Sequence, residues 1–183
     1  ELFGAIGYLA QLDLFKKMRD NGSHILTPKL LLRYAPGHMR KETEKTRLSH
    51  ANIFTLDRLN TNKNFESGLS STIGFNYEFQ TSDKKLDFSI AQIINEKENQ
   101  NMPSSSSLNQ RFSDVIASSE LEIDDNIKLN YNFALDQNYK SLNYNEIGAS
   151  LNFDPIKFNF DYLQEKEHIG DQEYFKGKVD LKQ

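Results

Sequence analysis

Ile127-Lys128-Leu129-Asn130-Tyr131-Asn132-Phe133-Ala134-Leu135 decides how this chain folds. Every second side chain from Ile127 to Leu135 is apolar, and Lys128, Asn130, Asn132 and Ala134 fill the gaps. A strand turns successive side chains to opposite faces, so this spelling makes one greasy face and one polar face. Wound as a helix, the same residues would scatter around the axis and leave no stripe to bury. The period of two recurs at Ile73, Phe75, Tyr77 and Phe79, at Leu86, Phe88 and Ile90, and at Ile156, Phe158, Phe160 and Tyr162. It recurs again at Phe175, Val179 and Leu181, interleaved with Lys176, Lys178, Asp180 and Lys182. Across 141–153 the phase slips from Leu142 and Tyr144 to Ile147, Ala149, Leu151 and Phe153, and a β-bulge near Asn145–Glu146 would account for it. Only His38 to Arg47, charged and without an apolar stripe, leaves room for a transient coil. The fold class is all-β.

The pattern predicts strands over 4–17, 25–34, 66–80, 86–97, 114–123, 127–137, 141–153, 156–166 and 174–182. Asn21-Gly22, Thr81–Lys85, Asp124-Asp125-Asn126 and Asp154-Pro155 carry the residues that tight turns favour. Longer polar connections fall at 35–65, 98–113 and 167–173, and Pro103 with Ser104–Ser107 is loop chemistry. Apart from the brief 138–140 connection, short and long linkers alternate. One end of the sheet is then tight and the other extended, the habit of up-and-down outer-membrane barrels.

Composition narrows the class. The 183 residues suit one domain or a piece of one, and 37% hydrophobic content is too low for a thick two-sided core. The 13 Phe and 8 Tyr are too many for plain disorder. With no Cys there is no disulfide framework and no thiolate site. A net charge of -4 without a long basic block argues against a nucleic-acid partner. No apolar run approaches the roughly 18 residues of a membrane helix. No leader is visible, the chain opens on Glu1, and both ends look cut, so 1–183 reads as an internal fragment of a barrel domain.

Alternation alone also fits a soluble sheet with one wet face. Three features favour a membrane barrel. Several runs reach the roughly 9–11 residues that cross a bilayer at a tilt. The polar phase holds Asn, Gln, Ser, Asp, Glu and Lys, as a wet lumen would. The apolar phase stays uncharged for whole runs, where a midplane Lys or Arg facing lipid costs ~2–4 kcal/mol. Tyr8, Tyr34, Tyr77, Tyr144 and Tyr162 are candidates for the aromatic girdles, and Asn76, Glu78, Lys128, Asn130, Asn132, Asp136, Lys157, Asn159 and Asp161 for the lumen wall. Nine strands sit badly with the even count of bacterial barrels, and an open edge in lipid is not viable, so part of a larger barrel is expected. A soluble β-sandwich binding module and a diffusion porin stand as the alternatives.

Certain strings carry a family resemblance. Leu26-Thr27-Pro28-Lys29-Leu30-Leu31-Leu32-Arg33-Tyr34-Ala35-Pro36 resembles a barrel strand of LptD, the lipopolysaccharide-assembly and organic-solvent-tolerance family. Asn52-Ile53-Phe54-Thr55-Leu56-Asp57-Arg58-Leu59, followed by Phe65-Glu66-Ser67-Gly68 and Gly74-Phe75-Asn76-Tyr77, is similar to that family's next block. Phe112-Ser113-Asp114, then Leu135-Asp136 and Leu142-Tyr144-Asn145, resembles the continuation in alphaproteobacterial members. The resemblance implies a cell-outer-membrane barrel delivering lipopolysaccharide to the outer leaflet. It also implies an LptE-like plug lipoprotein in the lumen and a periplasmic jelly-roll domain meeting an LptA-like bridge. The jelly-roll and the family's cysteines do not occur within these residues.

Candidate chemistry is sparse. His24, His38, His50 and His168 fall in predicted turns or loops without metal-ligand spacing, and no cofactor motif is present. Scattered carboxylates give no acid–base pair, so an enzyme is not expected. Asp57 and Arg58 beside Ile53, Phe54, Leu56 and Leu59 suggest a loop packed into the barrel mouth rather than a surface ion pair of ~0–1 kcal/mol. Pro28 inside a predicted strand cannot donate to the ladder, which a bulge or an edge position would accommodate. The resemblance adds another reading, in which strand prolines near the barrel seam weaken pairing and let lipid leave sideways. Glu66, Lys128, Asp136, Glu146, Lys157 and Asp161 fall in polar phases, where they line a wet path or merely solvate it.

Overall fold

The alternating runs pair, each with the next, into one antiparallel sheet. A computed structural model describes residues 4–19, 21–59, 61, 63–166 and 168–181. Its strands are β1 (Ile6–Gln11), β2 (Leu14–Lys17), β3 (Ser23–Ala35), β4 (Gly68–Gln80), β5 (Lys84–Asn95), β6 (Val115–Ile123), β7 (Ile127–Leu135), β8 (Leu142–Phe153), β9 (Ile156–Glu165) and β10 (Gln172–Leu181). They lie in the order β1, β3, β4, β5, β6, β7, β8, β9, β10, with β2 also pairing β3. Among the described residues the sheet is open, with β1 and β2 along one edge and β10 along the other. Lys182, predicted as the end of the last strand, lies outside the described residues.

One predicted strand is two. The run 4–17 breaks at Leu12–Asp13, opposite Thr27 and Pro28 of β3. Pro28 has no N–H to offer an edge partner, and the edge strand is interrupted at that point. The backbone N–H of Leu12 reaches the Pro28 carbonyl at 3.3 Å, and the Thr27 hydroxyl donates to Asp13 Oδ1 at 2.7 Å. Pro28 is therefore in the second strand in from the edge, and the break in its neighbour accommodates it.

The phase slip is also real but misplaced. Leu135 pairs with Leu142 and Ala134 with Tyr144, so the extra residue is Asn143, not Asn145 or Glu146, which pair regularly. Tyr144 thereby turns away from Leu142 and Ile147, and it is not a girdle residue. His24 is a strand residue of β3 rather than a loop residue, and Asp136 lies past the end of β7, in a turn where it accepts the Asn138 N–H at 3.1 Å. His38 to Arg47 forms no helix.

The predicted asymmetry of the connections holds, and the brief connection after β7 remains its exception. Turns 18–22, 81–83, 124–126 and 154–155 lie at one end. Connections 36–67, 96–114, 136–141 and 166–171 lie at the other. The short 138–140 stretch is thus on the long-loop side.

The two faces differ in what covers them. Leu30, Leu32, Ile73, Phe75, Leu129, Ile147, Phe158, Phe160 and Val179 stand on a bare face, each at least a third exposed. The opposite face is covered in its loop-end half by 36–67 and 96–114. Its core joins Met39, Leu48, Ile53, Leu59, Met102 and Leu108 of the loops to Ala91, Ile93, Ile116, Ala134, Tyr144 and Leu163 of the sheet. The core is thus loop against sheet, on the polar phase, where Ile93, Ile116, Ala134 and Leu163 take the place of polar residues beneath the loops.

Candidate functional site

The loop-covered half of this face is built around charges that the sheet and loops bury together. Arg33 is 1% exposed on β3, and Arg58 of loop 36–67 is equally enclosed. Arg33 Nε donates to the Leu56 carbonyl at 2.7 Å and its Nη2 to the Glu66 carbonyl at 2.6 Å, while its guanidinium lies 5.3 Å from the Phe65 ring. Arg58 pairs through Nε with Glu66 Oε2 at 2.8 Å and donates from Nη2 to Ser70 Oγ at 2.8 Å. A buried ion pair of this kind is costly to break, because either partner alone is an uncompensated charge. Asp57 and Arg58 do not act as the pair that their adjacency suggests. The Asp57 carboxylate stays at the surface and accepts the Leu59 N–H at 3.2 Å.

Further along the same loop, Arg47 reaches β9. Its Nε donates to Glu165 Oε1 at 3.0 Å, its Nη2 meets Glu165 Oε2, and its guanidinium caps the Tyr144 ring at 4.5 Å. Tyr144 donates its hydroxyl to Glu146 Oε2 at 2.6 Å, and Asn132 donates to the same oxygen at 3.0 Å. Lys45 Nζ donates to the Ile169 carbonyl at 2.6 Å. At its other flank, loop 36–67 sets Leu56 over Gly7 so closely that a Cβ at Gly7 would come within 2.4 Å of Leu56 Cδ2. This one connection therefore spans the face from β1 to β9.

Loop 96–114 is fastened beside it. Buried Asp114 takes His168 Nε2 at 2.9 Å and Asn143 Nδ2 at 2.8 Å on one oxygen. Ser113 Oγ accepts the Ile93 N–H at 2.9 Å and donates to the Asp114 carbonyl at 2.8 Å. Ser105 accepts the His168 N–H on its carbonyl and donates its hydroxyl back to the His168 carbonyl. Connections 36–67, 96–114 and 166–171 so form one interlocked plug.

The predicted positions sort cleanly against this frame. Arg33, Arg58, Glu66, Ser113 and Asp114 are buried parts of the plug and its seat. Asn52 braces the loop internally, accepting the Ser49 N–H at 2.8 Å and donating to the Arg47 carbonyl at 3.0 Å, and Phe54 lies under Lys29 Nζ at 5.8 Å. Gly68 opens β4 at φ +111°, a conformation that side-chain-bearing residues rarely adopt. Pro36 stands exposed where β3 ends. Asn76, Glu78, Lys128, Asn130, Asn132, Lys157, Asn159 and Asp161 share the loop-covered face but lie mostly in its open half, toward the short turns. A trough of about 640 Å³ runs there past Glu120, Asn130, Asn132, Asn159, Asp161 and Lys176. What the sequence reading missed is Arg47 and Glu165, together with the roles of Tyr144 and His168. The only signal for the plug's seat was the intrusion of Ile93, Ile116, Ala134 and Leu163 into a polar phase.

Among the described residues no group of three or more His, Asp or Glu is placed to hold a metal ion, and no helix is long and apolar enough to cross a membrane. An antiparallel meander, bare and apolar on one face, polar and loop-plugged on the other, is the wall of an outer-membrane β-barrel. The model of the family described as LptD, LPS transport system D, matches residues 9–182, and the chain belongs to that family. The family is one of outer-membrane barrels that act in lipopolysaccharide transport and assembly. Among curated proteins, none matches the chain.

Proposed function

We propose that this chain is a section of the lipopolysaccharide translocon wall, part of a larger barrel whose lumen is bounded by the loop-covered face. The observation that carries the reading is the plug. Three connections at one end are locked over the polar face, while the other half of that face stays open and hydrophilic. In an outer-membrane barrel the long loops lie outside the cell and the short turns in the periplasm. Cargo entering from the periplasm meets the trough lined by Asn130, Asn132, Asn159 and Lys176, and the plug stands between it and the exterior. With the axial way shut, the remaining way out is sideways through the wall, into the outer leaflet.

On this reading Asn76, Glu78, Lys128, Asn130, Asn132, Lys157, Asn159 and Asp161 line the lumen, and Asp136 belongs to the rim of the long-loop end. An LptE-like lipoprotein sits in the lumen of the whole barrel, and lipopolysaccharide arrives over an LptA-like bridge through an upstream periplasmic domain. No bond is made or broken in these steps. Depletion of the full-length protein tests the function. Lipopolysaccharide is expected to disappear from the cell surface, and the purified protein to carry a small lipoprotein. Normal surface lipopolysaccharide with a loss of small-solute uptake would make the barrel a diffusion porin instead.

A further inference from the structure

The bare face is almost free of charge, and its exceptions are not scattered. Register assigns to it Lys16 of β2, His24 of β3, Lys84 of β5 and Glu173 of β10, and every other side chain on it in the described strands is uncharged. Lys16, His24 and Lys84 all lie at the short-turn end, whereas Glu173 lies at the long-loop end, where it accepts the Tyr162 hydroxyl at 2.9 Å. Lys16 and His24 are direct cross-strand partners.

His24 is held in place. Its ring stands 4.9 Å from that of Phe79 and 6.0 Å from that of Tyr77, and Nδ1 is 2.8 Å from the Tyr77 hydroxyl. When that hydroxyl donates to Nδ1, the ring hydrogen is on Nε2, which faces the Met18 sulfur at 3.0 Å. A thioether is a weak acceptor, so this donor is under-used. The Lys16 ammonium is exposed and makes no ion pair among the described residues.

We propose that Lys16 and His24, backed by Tyr77 and Phe79, form a binding site for the phosphate of a phospholipid in the periplasmic leaflet. The inference rests on the bare face meeting lipid. Aromatic rings and basic groups at one level of a lipid-facing wall sit where headgroups lie, and each basic group near an anionic surface contributes attraction. The phosphate oxygens are better acceptors for Nε2–H than sulfur, and Lys16 supplies the charge. The acyl chains then run up the bare wall past Leu14, Leu26 and Phe75, on the same face.

The test uses the full-length protein, washed of loose lipid in detergent and incubated with phosphatidylglycerol. Native mass spectrometry then counts the lipid retained. Lys16→Gln with His24→Gln is expected to lower retention by at least about fivefold, the factor that corresponds to ~1 kcal/mol for the lost Lys16 charge, with the lost Nε2–H donor adding to it. Excess inorganic phosphate should not displace the lipid. Lys16→Gln alone, at an exposed side chain, gives the readout if the double variant fails to fold. Unchanged retention in a folded variant overturns the site, and displacement by inorganic phosphate makes it a free-phosphate site and overturns the lipid assignment. A wild-type protein that stays dispersed without detergent and retains no phospholipid overturns the membrane-facing assignment itself.

Discussion

Arg58 illustrates how little of a charged residue's role is written in its neighbours. Its adjacent Asp57 looks like its partner, yet the ion pair forms with Glu66, across the loop, and Ser70 on β4 takes a second N–H. Replacing Arg58 with Ala removes the direct partner of the buried Glu66 carboxylate and leaves it only the field of Arg33, a cost toward the lower end of about 3–5 kcal/mol. We expect a marked fall in the temperature at which the full-length barrel loses its compact mobility on gels, and cleavage of 36–67 by added protease. Arg58→Lys should recover only part of the loss, because one ammonium cannot replace a fork that serves Glu66 and Ser70 together. Asp57→Asn, at the surface, should change the midpoint little. An unaltered midpoint in Arg58→Ala would mean that the plug is not held by this pair.

At the scale of the strand, alternation was legible because only two environments exist, and a period of two sorts residues between them. Labels can read the sorting directly. Spin labels at Phe75, Leu129 and Phe158 should be accessible to oxygen and shielded from a water-soluble nickel chelate, with the reverse at their neighbours Asn76, Asn130 and Asn159. Equal access to both reagents along a strand would remove the barrel wall. Two errors of reading have physical causes. Tyr144 counts as apolar by composition, but Arg47 draws its ring to the covered face and Glu146 takes its hydroxyl, which moves the bulge to Asn143. The break at Leu12–Asp13 is dictated by Pro28, a residue of the next strand, and a strand read alone carries no trace of it. The short turns were placed correctly because Asn21-Gly22 and Asp124-Asp125-Asn126 act through their own backbones. The plug was legible only in part, through Ile53, Phe54 and Leu59 of one loop, because its polar contacts join distant parts of the chain.

The molecule as a whole should respond to acid through that plug. Glu42 of loop 36–67 accepts the N–H groups of Glu44 and Thr43, each at 2.8 Å, and the Asn64 amide. The Glu44 N–H first, then the Asn64 amide, hold its carboxyl below the ordinary range despite the opposing effect of burial. His50, though much of it reaches solvent, is likewise held below its ordinary value, first by burial and then by the Lys29 cation. Both groups are depressed on folding, so the unfolded loop binds protons more readily and stability is lost as the pH is lowered. The His50 contribution is complete above about pH 6.5 and is lost as pH drops below that, and the Glu42 contribution is lost at lower pH still. Amide hydrogen exchange within 36–67 should therefore quicken, relative to the sheet, as the full-length protein is taken from neutral to mildly acidic pH. His50→Gln should flatten the upper part of that profile, and a loop whose protection is constant with pH would refute the linkage. The bracing of 36–67 from Gly7 to Glu165 has a consequence for biogenesis. Arg47 and Glu165 are 118 positions apart, so the buttress cannot engage until β9 has been laid down. Until then the loop is held only on the side of β1, β3, β4 and connection 96–114, and the young barrel's mouth is unsealed toward β9.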